Sequence, residues 1–347
     1  LFAIVLFAVV LSVPFLFFGL AVSTCFAALP GSAGAIYAAD LLGAGAGSVA
    51  LFGLLYTGGP EQTFFLMSML VATAALVQGG KIVRFISAFL LGMDLFLLLT
   101  QPAFIRPVMS TYKPLPFALN YPGARTMETR YSPYARIDIF QSPAVRFAPG
   151  LSLTYLDPLP PQTGVAVDGG DIHAITHAGD PASMKFIDHL PSALSYLLGR
   201  PRNVLVLEPK GGLALHLAIK SGARHIVSVE SNPLLRTIVD ERGRLFAPSG
   251  VSLQNMTGLG RNRIARLERN FDVISISLLS SLLSGGFGIS EDYTATVEAF
   301  RAYLERHLDL MRYRTLADLD DTELERLLIA ADRNARELVR PVGPAGG

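Results

Sequence analysis

The stretch "NVLVLEPKGGLALHLAIKSGARHIVSVESNPLL", residues 203–235, decides the fold. It reads as a strand, a glycine turn, a helix and a second strand closed by the acid Glu230. A unit of this kind holds a nucleotide-like cofactor at the turn, where helix amides face the ligand. The turn of this chain sets Pro209 and Lys210 where such a binder wants small residues. The fold and the ligand are therefore separate questions.

Working outward, the same alternation continues. "VSLQ" and "FDVISIS" read as strands. Residues 233–244, "RNRIARLER" and "SEDYTATVEAFRAYLERHL" read as helices. Alternating strands and helices predict a mostly parallel sheet with helices on both faces, and a ligand beyond the strand ends at Glu208, Glu230 and Ser277. Upstream, "YARIDIF", "AVRFAPG", "LSLTYL", "GVAVDGG" and "DIHAITHAG" are short β-rich runs broken by Gly and Pro, which predict a small antiparallel sheet. "MKFIDHLPSALSYLL" between them is a helix candidate. His173 and His177 lie four apart in this strand-and-turn region and read as surface polar residues, not metal ligands.

The charge pattern divides the chain. Among 347 residues, 29 basic and 28 acidic side chains give a net charge of +1, which excludes the basic field of a nucleic-acid binder. Hydrophobic residues make up 51%, yet through residue 100 the only charged side chains are Asp40, Glu61, Lys81, Arg84 and Asp94. Beyond residue 124 charges recur every few positions. The first part is composed for lipid and the second for water.

Four apolar runs approach the roughly 20 residues that cross a bilayer core of about 30 Å. They are residues 1–29, 35–56, 61–78 and 83–105, divided by "LPGSAG", "YTGGPEQ" and "VQGGK". Their recurrence argues against a signal peptide, and the initial Leu leads us to expect further segments upstream. Gly43, Gly47, Ala39 and Ala46 place small residues on one helix face, suited to close helix packing. Asp94 lies deep in its run, whereas Asp40 lies near an end. Lys81 and Arg84 favour one orientation by the positive-inside rule; Arg106, Lys113, Arg125 and Arg130 favour the other. The second group is larger and places the globular part in the cytoplasm. Cys25 is the single cysteine, so no intrachain disulfide forms. Six prolines in residues 102–133 read as an extended tether.

The order of elements resembles the membrane-anchored, spermidine synthase-like (aminopropyltransferase-type) proteins of bacteria. The resemblance is carried by "YAADLLGAGAG", "SPYARIDIF", "HLPSALSYL", "GARHIVSVESNP", "FDVI" and "EDYTATVEAFRAYL". It implies α-helical transmembrane segments fused to an α/β Rossmann-like domain of the S-adenosylmethionine-dependent transferase type, behind a small antiparallel β-domain. The expected domains are a helical transmembrane domain over 1–105, a Pro-rich linker over 106–130, and a β-hairpin domain over 131–182. A Rossmann-like domain over 183–308 and a helical tail over 309–347 follow. The implied cofactor is S-adenosylmethionine or its decarboxylated form, with no metal. Cofactor candidates are Glu208, Gly211, Gly212, Glu230 and Gly260, with Glu230 matching the acid that holds the ribose.

Against the family's pattern, Glu208, Pro209 and Lys210 replace glycines, and Leu259 replaces the acid before Gly260 and Arg261. Ser277 and Ser280 occupy the catalytic acid positions. Ser183, Met184 and Lys185 stand where a Tyr-His-Glu trio is expected. The chain is therefore expected to carry no catalytic residues and to serve as a structural or regulatory subunit of a membrane assembly. Lipid and partner proteins surround it, in the bacterial inner (plasma) membrane, with the globular domain cytoplasmic. The alternative is a transferase, of aminopropyl or another group, acting on an amine. After "AYLERHL" the family's closing turn gives way to charged, amphipathic helices, a packing helix or a docking surface.

Overall fold

The computed structural model describes all residues except 1, 103–104, 106–107, 178–180, 200, 244–249, 265, 268–269, 277–295 and 307–347. Ser277, Ser280 and the tail over 309–347 lie outside the described residues. The chain forms two compact units, divided at residues 106 and 107.

The first unit is helical. Helix α1 spans Phe2–Ala28, α2 spans Ala33–Gln78 and α3 spans Lys81–Thr100. Their composition is apolar along nearly their whole length. Among the described residues, three helical stretches are long and apolar enough to cross a membrane. The second of them, α2, holds 46 residues in two helical arms, so the boundary expected between the second and third runs is present as a kink. It joins the two expected runs 35–56 and 61–78 across a break at Gly59, where φ is 72° and ψ is −176°. Glycine adopts that backbone without a Cβ clash, and Pro60 beside it has no amide to contribute to a helical ladder. Thr63 Oγ1 donates to the Gly59 carbonyl at 2.7 Å, satisfying one of the acceptors at the break.

Helix α2 packs along α3, and polar Thr63, Ser87 and Asp94 are among the residues buried in these two helices. Asp94 is 6% exposed, and its Oδ2 has no hydrogen-bond partner among the described residues. Asp40 is exposed, as its place near a helix end suggested.

The second unit begins with a short helix, α4, over Pro114–Leu119, and an antiparallel sheet of β1 (Arg125–Tyr131), β2 (Arg136–Gln141), β3 (Gln162–Val167) and β4 (Asp171–Thr176), paired in that order. Two expectations are corrected here. The stretch read as a tether holds α4 and β1: Pro114 and Pro116 sit at the start of α4 and Pro122 in a turn, which leaves "RTMETRY" free to pair. "AVRFAPG" and "LSLTYL" form turns, not strands. Val165 and Ala166 of β3 instead bury into the core beside Ile137, Ile139 and Phe140 of β2. The helix expected over "MKFIDHLPSALSYLL" is a 3₁₀ segment, Pro181–His189, followed by α5 over Ala193–Gly199, because Pro191 cannot continue a helical ladder.

A parallel sheet follows, built from β5 (Asn203–Leu207), β6 (His225–Glu230), β7 (Ser252–Thr257) and β8 (Val273–Ile276), in the spatial order β7-β6-β5-β8. Helices α6 (Leu213–Lys220), α7 (Pro233–Arg242), α8 (Gly260–Ile264) and α9 (Val297–Glu305) complete the described elements. Leu205, Leu207, Val227 and Val229 pack with Ile264, Phe271, Ala299 and Tyr303 on one face. Val204 and Val206 pack with Leu215, Ala218 and Phe186 on the other. A sheet covered on both faces explains why its strands are continuous apolar runs. Strand order reverses at β5: β6 and β8 flank it, with β7 outside β6. That reversal opens a crevice at the carboxyl ends of β5 and β8.

Candidate functional site

The site lies where β5 ends. Residues 208–212 turn from β5 into α6, and three of them hold left-handed backbone: Glu208 at φ 53°, Lys210 at φ 53° and Gly212 at φ 90°. Glycine enters that region freely, but a side chain there costs on the order of 1–3 kcal/mol. The chain thus keeps a glycine-type turn with non-glycine residues at two of its positive-φ positions. Something must hold it.

The holding group is a buried polar cluster. Glu230, at the end of β6, is 1% exposed. Its Oε2 accepts from the Lys210 amide at 3.1 Å, and its Oε1 from the Asn232 amide at 3.2 Å. Glu208 Oε2 accepts from Ser231 Oγ at 2.9 Å. The Lys210 ammonium lies 3.5 Å from Glu208 Oε2 and 3.8 Å from Asp171 Oδ2. Asp171 Oδ1 is 2.7 Å from His173 Nε2.

Electrostatics follow from this packing. Burial, then the neighbouring Glu208 carboxylate, push Glu230 up to about 8, against the pull of Lys210 and the Asn232 amide. Near neutral pH Glu230 therefore holds its proton, because burial and the neighbouring Glu208 carboxylate both disfavour its charge. Burial opposes the charge on Lys210, but Glu230, Glu208 and Asp171 outweigh it and hold the ammonium above the ordinary lysine range. Lys210 is a fixed cation, not a nucleophile.

The retained glycines serve packing. A Cβ on Gly211 would lie 2.1 Å from the Ala174 carbonyl oxygen of β4. The close approach that glycine allows here goes to the small sheet's backbone. Gly212 supplies the left-handed cap of α6. A Cβ on Gly260, at the start of α8, would meet Leu207 at 3.4 Å. Leu259 is exposed. The turn, Glu230 and Gly260 sit at neighbouring strand ends, while the amides of Glu208, Lys210 and Gly212 donate within the chain, to Val229, Glu230 and Pro209.

Beside the turn is a cavity of about 410 Å³. Phe147, Leu190, Pro191, Leu213, Leu217 and Ile276 form its apolar wall. His173, Lys210, Ser192 and Ser275 contribute the polar side chains, and no carboxylate is among the described lining residues. Lys185 and Met184 do not line it. Met184 packs in the core beside Phe186, and Lys185 is exposed, so neither holds the place in the pocket that the trio's alignment implied.

His173 corrects the sequence reading. It is buried, not on the surface, and meets Phe147 edge to face at 5.3 Å between ring centroids. His177 is half-buried and pairs with Thr163 at 2.7 Å through Nε2. The missed residues were Phe147, Asp171 and His173. Period-two spacing in "DIHAIT" sets Asp171 and His173 on one face of β4 and was the available signal. Among the described residues no group of three His, Cys, Asp or Glu side chains comes together as a metal site.

No family model matches the chain, and no curated protein matches it in sequence. Among solved structures it is similar to a spermidine synthase in complex with the transition state analogue AdoDATO, at 18% identity and a TM-score of 0.35, over 53% of this chain and 53% of that one. The spermidine synthase from Thermotoga maritima matches at 18% identity and a TM-score of 0.35, over 53% and 54%. The chain spans about half the length of each. A superposition of that quality leaves the class of the protein to its own strand order: a parallel α/β unit beside a four-stranded antiparallel sheet, preceded by long apolar helices.

Proposed function

We propose that this chain is a membrane-anchored, spermidine synthase-like protein whose adenosyl site is closed by its own side chains. It acts as a structural or regulatory subunit of an assembly in the bacterial inner membrane, with residues 107–347 on the cytoplasmic side. One observation carries the reading. Glu230, the acid that would hold a ribose, already accepts from the Lys210 and Asn232 amides, with Glu208 beside it. Two ribose hydroxyls would have to displace these partners, each hydrogen bond contributing about 0.5–1.5 kcal/mol.

The chemistry of the cavity supports the same reading. A polyamine nucleophile needs carboxylates to bind its ammonium groups and accept a proton, and the described wall offers a lysine. A second reading, a transferase that binds S-adenosylmethionine or its decarboxylated form, is favoured by the cavity itself, which lies at the reversal of strand order where such ligands bind.

Calorimetry with S-adenosylmethionine and its decarboxylated form decides between them. The wild type is expected to bind neither, and Lys210→Gly, which frees the turn, to bind more tightly than wild type. Tight binding by wild type that Glu230→Ala abolishes would establish the second reading.

A further inference from the structure

We infer that residues 108–121 of the second unit form a lipid-facing foot that rests in the headgroup layer of an anionic bilayer. The inference rests on the reading of the first unit as membrane-spanning.

The segment is two-sided. Leu115 and Ala118 of α4 are buried against Phe140 and Ala166, with Met109 and Leu119 packed beside them. The Leu115 amide donates to the Gly169 carbonyl at 3.1 Å, and Lys113 Nζ donates to the Asp168 carbonyl at 2.6 Å. The inner side is thus fixed to the small sheet. Val108 at 93% exposure, Tyr112 at 97%, Phe117 at 63% and Tyr121 at 40% are left uncovered. Phe117 and Tyr121 stack edge to face at 5.7 Å. Exposed apolar residues are ordinary when scattered. Four within fourteen residues on a fixed base are not.

The occupant follows from composition and tether. Between Asp94 and Glu128 the chain has no acidic residue, while Arg106, Lys113 and Arg125 are basic. Aromatic rings with a polar edge, flanked by bases, are the composition of the membrane–water interface. Basic residues near an anionic leaflet are attracted to it. Residues 101–107 join the end of α3 to Val108, and seven residues reach at most roughly 25 Å. The foot is held near the bilayer by covalent connection.

The chain has no tryptophan, so single-Trp variants of the full protein report without background. The variants are Phe117→Trp and Tyr112→Trp in the foot, Tyr134→Trp at the exposed β1–β2 turn, and Phe89→Trp on α3. Each is placed in nanodiscs of phosphatidylcholine and phosphatidylglycerol carrying bromine near the headgroup end or the methyl end of the acyl chains. Phe117→Trp and Tyr112→Trp should emit to the blue of Tyr134→Trp and be quenched more by shallow bromine than by deep. Red, unquenched emission at both foot positions overturns the inference. Blue but unquenched emission also overturns it and assigns the patch to a protein contact. Unquenched Phe89→Trp would instead refute the membrane-spanning reading itself, and the foot would fall with it.

Discussion

The backbone amide of Lys210 lies 3.1 Å from Glu230 Oε2. The residue that replaces a glycine in the first turn is thereby tied to the acid that closes the next strand. Its ammonium completes the tie from the other side, close to Glu208 and Asp171. The turn's non-glycine residues and the acid's loss of free acceptors are one arrangement. Lys210 and Glu208 pay a backbone penalty at positive φ, and the buried cluster offsets it.

Stability should fall as pH rises through the window set by Glu230. Its native value of about 8 lies above its ordinary 4.5, so the folded state holds a proton that the unfolded chain has released. Such stability is present at low pH and is lost as pH climbs toward 8. Burial lowers His216 to about 4 and His177 below its ordinary value. These two act in the opposite direction, but only below about 6.5. Lys210, raised from 10.5, loses its contribution only above the window. Between about pH 6.5 and 8, thermal midpoints should fall for wild type and stay flatter for Glu230→Gln. Parallel curves would contradict the assignment.

Gly211→Ala should destabilise the second unit by about 1–3 kcal/mol, because its Cβ meets the Ala174 carbonyl at 2.1 Å and the strand must move. Gly170→Ala is the control: a Cβ there has the Val167 oxygen at 4.0 Å and no positive φ. Denaturant midpoints of the two variants should differ clearly. Equal midpoints would mean that β4 does not press on the turn.

Asn232 caps α7, its Oδ1 accepting from the Leu234 amide at 3.0 Å and the Leu235 amide at 3.2 Å. Asn232→Ala should cost about 1 kcal/mol. Asn232→Asp should recover most of it, since a carboxylate accepts the same bonds. Thermal unfolding of the three proteins measures the difference, and an unaffected alanine variant would remove the cap from the account.

Purified protein supplied with putrescine and decarboxylated S-adenosylmethionine should form spermidine at background rate. A positioned base is worth about 10²–10⁴-fold in rate, and the described wall of the cavity carries Lys210 in place of one. Mass-spectrometric quantification of spermidine is the measurement. Turnover near the enzyme median of about 10 per second would reverse the proposed function.

The sequence by itself determined the features that depend on neighbours along the chain. Five charges in the first hundred residues marked apolar helices that only an apolar solvent or their own packing could cover. Uninterrupted apolar runs at 203–207 and 225–230 marked strands buried on both faces, and Glu230 had to fall at a strand end. Gly59 before Pro60 signalled an interruption, and the helix breaks there. The tertiary structure decided what depends on distant partners. Prolines in 102–133 suggested a tether, but β2 recruited "RTMETRY" as an edge strand. His173 looked superficial because nothing local announced that Phe147 would cover it. Asp171 lies 39 positions before Lys210 and joins its cluster only because the small sheet packs over the turn. The backbone of residues 208 and 210 is left-handed for the same reason: local preference opposes it, and a buried network assembled from three separate segments overrides that preference.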